Sequence, residues 1–216
     1  MINSLKKQVN NNLNNFYNAL SYKGKWTLSD GVVDCYGNKF PIPIDTKVIS
    51  KLFESQLESV WKKFCKENNY TIEFATKQNQ YPDVTLKCNK TNNIYAVDEK
   101  SSYKKTNKLI NGMTLGTYKG YFRDTMSCKN TLYPYDSYKE HFVFGILYNR
   151  EENTISDIEI FFTEKWRVAS KTPGSGNTTN IGSIKKIKRI IEDKDNLLKS
   201  KNEIDNYLRN NDKGVK

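Results

Sequence analysis

Two short stretches hold residues that could do chemistry together, Tyr81-Pro82-Asp83 and Asp98-Glu99-Lys100. The second ends an apolar run, Ile94-Tyr95-Ala96-Val97, that reads as a β-strand. Side chains alternate faces along a strand, so Asp98 and Lys100 share one face and Glu99 takes the other. Val84–Cys88 reads as a neighbouring strand, and the short polar turn Asn89–Asn93 lets the two pair as a hairpin. That pairing would set Asp83, led in by a proline, beside Asp98. Adjacent carboxylates repel unless a cation lies between them. Oxygen-only ligands suit Mg²⁺, which binds through one or two carboxylates plus water and substrate phosphate. Lys100 could hold the scissile phosphate, or orient and help deprotonate a water attacking phosphorus in line. A Mg²⁺-dependent phosphodiesterase needs this pattern. Asp, Glu and Lys are abundant here, so a solvated surface hairpin has the same spacing; an acid at the end of an otherwise apolar strand speaks against that reading.

A second informative stretch is Pro173-Gly174-Ser175-Gly176-Asn177-Thr178-Thr179-Asn180-Ile181-Gly182. Alternating glycines let the backbone come close to a ligand. Asparagine can bond adenine N6 and N7 in a major groove, and threonine can serve base edges or phosphate. No GKS or GKT follows, so this is not a Walker loop, and Gly182 is spaced wrongly for a dinucleotide fingerprint. A plain surface loop has the same composition. Lys77-Gln78-Asn79-Gln80, just before Pro82, offers amides that could reach minor-groove acceptors, or forms an ordinary polar loop.

The elements that must position these residues are legible in outline. Leu5, Val9, Leu13, Phe16 and Leu20 recur at helical spacing and predict one amphipathic helix. Trp26 to Phe40 predicts short strands with turns at Ser29-Asp30-Gly31 and Gly37-Asn38. Asp45 is placed to cap a longer helix bearing Val48, Ile49, Leu52, Phe53, Leu57, Val60, Trp61 and Phe64. Tyr70–Ala75 joins the strands already named. Phe142–Tyr148 is apolar on both faces, as a central strand covered on both sides would be. Ile158–Phe162 and Trp166–Ala169 add two short strands; Lys171–Gly182 reads as irregular, and the charged tail from Ile184 as partly helical. The mixture predicts a sheet with helices on both faces.

Composition bounds the partners. A chain of 216 residues suits one domain. Lysine and arginine number 35 against 24 acids, a net charge of +11, which points to a polyanion, nucleic acid or an anionic membrane surface. Lysine supplies 30 of those cations and asparagine occurs 26 times, which an AT-rich coding bias would also produce, so charge alone names no partner. No apolar run approaches the roughly 20 residues of a membrane span, the N-terminus is too polar for a signal peptide, and the expected setting is cytoplasmic. Cys35, Cys65, Cys88 and Cys128 form no CxxC pair. A single histidine, His141, excludes a His-rich metal site and leaves the chemistry to carboxylates and lysines.

Taken in order, Asp45-Thr46-Lys47-Val48-Ile49-Ser50, Lys77-Gln78-Asn79-Gln80-Tyr81-Pro82-Asp83, Asp98-Glu99-Lys100-Ser101-Ser102-Tyr103, Met113-Thr114-Leu115-Gly116, Tyr133-Pro134-Tyr135-Asp136 and Lys165-Trp166-Arg167-Val168-Ala169 leading into Gly174 to Ile184 resemble the EcoRV-like Type II restriction endonucleases of the PD-(D/E)xK superfamily. The resemblance spans roughly residues 28 to 184, and the glycine-rich stretch is its most specific part. It implies an α/β (α+β) fold: a restriction-endonuclease-like mixed sheet flanked by helices, with protruding DNA-recognition loops. It implies a homodimer that uses Mg²⁺ to cut duplex DNA at a short palindrome, GATATC cut at its centre to blunt ends, with a cognate DNA methyltransferase in the same system. Carried over by position, Asp83 and Asp98 would bind metal, Lys100 would be the catalytic lysine, and Glu54 the auxiliary acid supporting a further metal or water. Gly174, Ser175, Gly176, Asn177, Thr178 and Thr179 would read the major groove, Gln78 and Asn79 the minor groove, and Lys47 would also contact DNA. Residues 1–44 would form an N-terminal helix and dimerisation hairpin, 45–170 the catalytic core, 171–184 the recognition loop and 185–216 a basic tail. Glu99 stands where the family has an apolar residue, and Tyr148 to Ile160 is shorter than in the family. A repair or recombination nuclease on the same core, and a non-catalytic sequence-specific DNA-binding protein, are the alternatives; intact Asp83, Asp98 and Lys100 argue against the second.

Overall fold

The computed structural model of the chain describes residues 4–77, 79–117, 124–151, 154–173 and 180–192. It opens with two helices, α1 (Ser4–Asn11) and α2 (Leu13–Leu20), where the apolar spacing predicts one. Asn12 divides them, with φ −104° and ψ 3°. Its side-chain amide donates to the Gln8 carbonyl at 2.9 Å; such local bonding is how asparagine competes with a helix ladder. Two small hairpins follow, β1 (Ser21–Tyr22) with β2 (Lys25–Trp26) and β3 (Val32–Val33) with β4 (Lys39–Phe40). The second hairpin is entered at Gly31 and turned at Gly37, whose φ values of 90° and 86° favour glycine. Helix α3 (Thr46–Asn68) begins as expected at Asp45, whose carboxylate accepts from the Lys47 and Val48 amides at 2.9 and 3.2 Å. It ends at Asn69 in the left-handed conformation.

The remaining elements are β5 (Tyr70–Phe74), β6 (Val84–Cys88), β7 (Ile94–Thr106), β8 (Leu109–Ile110), β9 (Thr114–Thr117), β10 (Tyr138–Glu151), β11 (Thr154–Glu164), α4 (Lys165–Val168), β12 (Ala169–Pro173), β13 (Asn180–Ser183) and α5 (Ile187–Ile191). The main sheet runs β1-β2-β11-β10-β7-β6-β5, with β8 paired to β7. It is mixed: β7 and β10 are parallel, and the other pairs are antiparallel. A second sheet, β12-β13-β9, lies apart.

Strand β10 is covered on both sides, as its unbroken apolar run predicts. Phe142, Phe144, Ile146 and Tyr148 enter one core with Phe16, Trp61 and Phe162, under α1 to α3. Val143 and Leu147 enter a second core with Tyr81, Phe161, Ile181 and Ile184. The mixed sheet flanked by helices is therefore present, but the two faces differ: long helices cover one, while the small sheet with α4 and α5 contributes to the other. Trp166–Ala169 is mostly not a strand; Lys165–Val168 makes a helical turn. A run so short and apolar fits either state by pattern alone. Part of the stretch expected to be irregular is extended, since β12 continues to Pro173 and β13 resumes at Asn180. Among the described residues no helix is long and apolar enough to cross a membrane.

Candidate active site

The site is built by the hairpin of β6 and β7. Their antiparallel register sets Val84 opposite Val97, which brings Asp83, just before β6, to the Asp98 end of β7. Alternation along β7 then divides the acids. Asp98 and Lys100 lie on one face; Glu99 lies on the other, where Trp61 Nε1 of α3 donates to Glu99 Oε1 at 2.8 Å. Ser101, on the same side as Glu99, is 2.7 Å from Ser50 of α3, so α3 is fastened along the strand that carries the site.

The Lys100 ammonium is held by three oxygens. It lies 2.6 Å from Asp98 Oδ1, 3.3 Å from Asp83 Oδ2 and 3.1 Å from the Glu99 carbonyl. Asp83 Oδ2 also accepts from the Glu99 amide at 2.7 Å. The far oxygen of Asp98 faces a second ammonium, Lys165 Nζ of α4, at 3.3 Å. Lys165 is buried, and its Nζ sits 4.3 Å from the centre of the Tyr81 ring.

This crowding sets the protonation states. Burial pushes the Asp83 carboxyl up to about 7, with Lys100 opposing and Asp98 adding to the rise. Burial acts the same way on Asp98, but Lys100 and Lys165 outweigh it and hold that carboxyl below its usual value. Lys100 is raised: burial opposes its charge, and Asp83 and Asp98 overcome it. Lys165 is lowered by burial. Glu99 is raised well above the usual glutamate range by burial, and next by Asp83. The arrangement is one buried and one half-buried carboxylate facing two lysines.

A cleft of about 570 Å³ opens beside the pair, lined by Lys47, Lys51, Glu54, Lys77, Asp83 and Glu99 among others. Glu54 therefore shares a cleft with Asp83, but its carboxylate pairs with Lys51 at 2.8 Å and not with the aspartates. Lys47 is exposed on the cleft wall, and Asn79 is exposed on the loop before Pro82. Gln78 and the six residues from Gly174 to Thr179 lie outside the described residues. Among the described residues no three His, Cys, Asp or Glu side chains converge as a metal group. The donor set nonetheless suits a hard cation: Asp83 Oδ2, Asp98 Oδ1 and the Glu99 carbonyl already surround one positive charge, the Lys100 ammonium, with oxygen alone.

Asp83, Asp98 and Lys100, expected side by side from the sequence, converge; the Lys165 contact and the Trp61–Glu99 bond are not foreshadowed there. The signal for Lys165 is faint: a lysine directly after an apolar strand. Trp61 shows in the sequence only as a core position of its helix.

The family described as restriction endonuclease EcoRV matches residues 22–214. The Type II restriction enzyme EcoRV of Escherichia coli is 35% identical over 201 residues, covering 83% of this chain and 80% of that enzyme. Among solved structures, the NlaIV restriction endonuclease matches with a TM-score of 0.50 at 14% identity, covering 83% of this chain and 67% of that one, a likeness of fold.

Proposed function

Since the chain belongs to the EcoRV restriction endonuclease family and is thus a Type II site-specific deoxyribonuclease, we propose that it acts as a Mg²⁺-dependent homodimer on duplex DNA. The proposed site is a short palindrome, GATATC, cut at its centre to blunt ends with 5′-phosphates. The observation that carries this reading is the ammonium of Lys100 held by Asp83, Asp98 and the Glu99 carbonyl, an oxygen cage at the edge of an open cleft.

In this reading Asp83, Asp98 and the Glu99 carbonyl hold the cation, and Glu54 supports a further metal or water from across the cleft. When bound, Mg²⁺ supplies positive charge for the phosphate and makes a water more acidic. Lys100, displaced from these oxygens by the cation, is left to hold the scissile phosphate or to orient the attacking water. Water attacks phosphorus in line and the 3′-oxygen leaves, which yields a 5′-phosphate and a 3′-hydroxyl. Lys47, Gln78 and Asn79 contact the duplex, and residues 174–179 read bases in the major groove, with Asn177 suited to adenine. A twofold dimer, joined through residues 1–44, matches a palindrome because each subunit reads one half-site and cuts one strand. Bending at the flexible central TA step would couple reading to cutting. The setting is the cytoplasm, with a methyltransferase protecting host DNA.

Incubating the protein with a sequenced plasmid and Mg²⁺ and mapping the ends tests the proposal. Discrete blunt cuts at GATATC are expected. Discrete cuts elsewhere would overturn the site, cuts confined to junctions or nicks would move the chain to repair, and specific binding without cleavage would leave a regulator.

A further inference from the structure

We infer that Lys165 is a positioning residue for cleavage, fixing the Asp98 carboxylate from the helical turn that follows β11. The inference rests on the nuclease reading above and deepens it.

Asp98 is ion-paired at both oxygens, the Oδ2 contact being one of charge without hydrogen-bond geometry. Lys100 Nζ lies 2.6 Å from Oδ1 and Lys165 Nζ lies 3.3 Å from Oδ2. The two lysines are not equivalent. Lys100 also touches Asp83 and the Glu99 carbonyl, so it sits on the oxygens that a cation would need. Lys165 approaches from behind, from α4, with the Tyr81 ring 4.3 Å from its Nζ and its side chain only 4% exposed. Its grip does not compete for the oxygen facing Asp83; it fixes the turn of the carboxylate that presents that oxygen.

The backbone around Lys165 gives this grip a second consequence. Helix α4 passes directly into β12, which ends at Pro173, the residue before Gly174. At the other end Glu164 is anchored by Lys6 of α1 at 2.7 Å and by Arg167 at 2.9 Å. Lys165 thus stands on a turn held from both sides, which presents its ammonium to Asp98 from a fixed backbone.

The test compares native protein, Lys165→Met and Lys165→Arg on the mapped site. In metal-free protein, the thermal shifts of Lys165→Met and Asp98→Asn should be non-additive in the double variant, because the two groups act on each other. Binding of the mapped site in Ca²⁺ should be unchanged. Single-turnover cleavage of the mapped site by Lys165→Met should fall about 100-fold, the cost of a small misplacement of a reacting group. Lys165→Arg should recover much of the loss. If Lys165→Met does not fold, Lys165→Gln, without charge, takes its place in both comparisons. Native cleavage of the mapped site by the uncharged variant, additive thermal shifts, or no recovery by Lys165→Arg would overturn the inference. Absence of discrete cuts by the native protein would instead overturn the nuclease reading, and this inference with it.

Discussion

Within one hairpin, four charged groups settle one another's protonation. Lys100 bridges Asp98 and Asp83, and Lys100→Ala should slow single-turnover cleavage by about 10²–10³, the usual cost of one donor aimed at developing charge; a near-native rate would remove Lys100 from the chemistry. Glu99 permits a test by pH. Burial and then Asp83 raise its carboxyl well above 4.5. A carboxyl raised in the fold gives its full stability below the unfolded value of about 4.3 and loses it as pH climbs through the folded value. Glu99→Gln keeps an acceptor for the Trp61 N–H and cannot ionise. Its Tm should match that of the native protein at pH 4 and exceed it at pH 8; a gap that stays constant with pH would contradict the buried charge. Asp83, Asp98 and Lys100 were legible in the sequence because β alternation and a five-residue turn are local rules. Lys165 was not, because it reaches Asp98 from a distant part of the chain.

The strands and helices show the same division. Asp45 and the hairpin of β6 with β7 follow from nearby residues, and each was readable. The parallel pairing of β7 with β10 was not, since no turn joins them and the register is set only when both cores form. That pairing puts Gly145 opposite Lys100 on one side, and β11 puts Phe161 opposite it on the other. A Cβ on Gly145 would lie 2.0 Å from the Phe161 ring, so the glycine is there to admit that ring. Gly145→Ala should destabilise the fold by about 1–3 kcal/mol, the range for overpacking a core, measured by urea unfolding. Unchanged stability would mean that Phe161 repacks freely. Trp166–Ala169 shows the limit of reading a pattern: four residues are too few for a period, and the structure makes most of them a helical turn that delivers Lys165 to Asp98.

At the scale of the molecule, the +11 charge and the catalytic pair have separate tasks. Lysines on the surface favour any polyanion, and phosphate contacts release counterions. If six or more phosphates are engaged, affinity for the duplex in Ca²⁺ should fall by about 10³ or more between 50 and 200 mM salt. A flat salt response, read by fluorescence anisotropy, would assign the charge elsewhere. On the reading proposed above, cutting requires Asp83 and Asp98 to hold metal, which the bulk charge cannot replace. The most direct measurement sets native protein beside Asp98→Ala: single-turnover cleavage of a duplex carrying the mapped site in Mg²⁺, with binding of the same duplex in Ca²⁺. Native protein should cut both strands at one position, and Asp98→Ala should bind the duplex specifically without cutting it. Mg²⁺-dependent cleavage by Asp98→Ala at the native rate would contradict the assignment of this site as the nuclease centre.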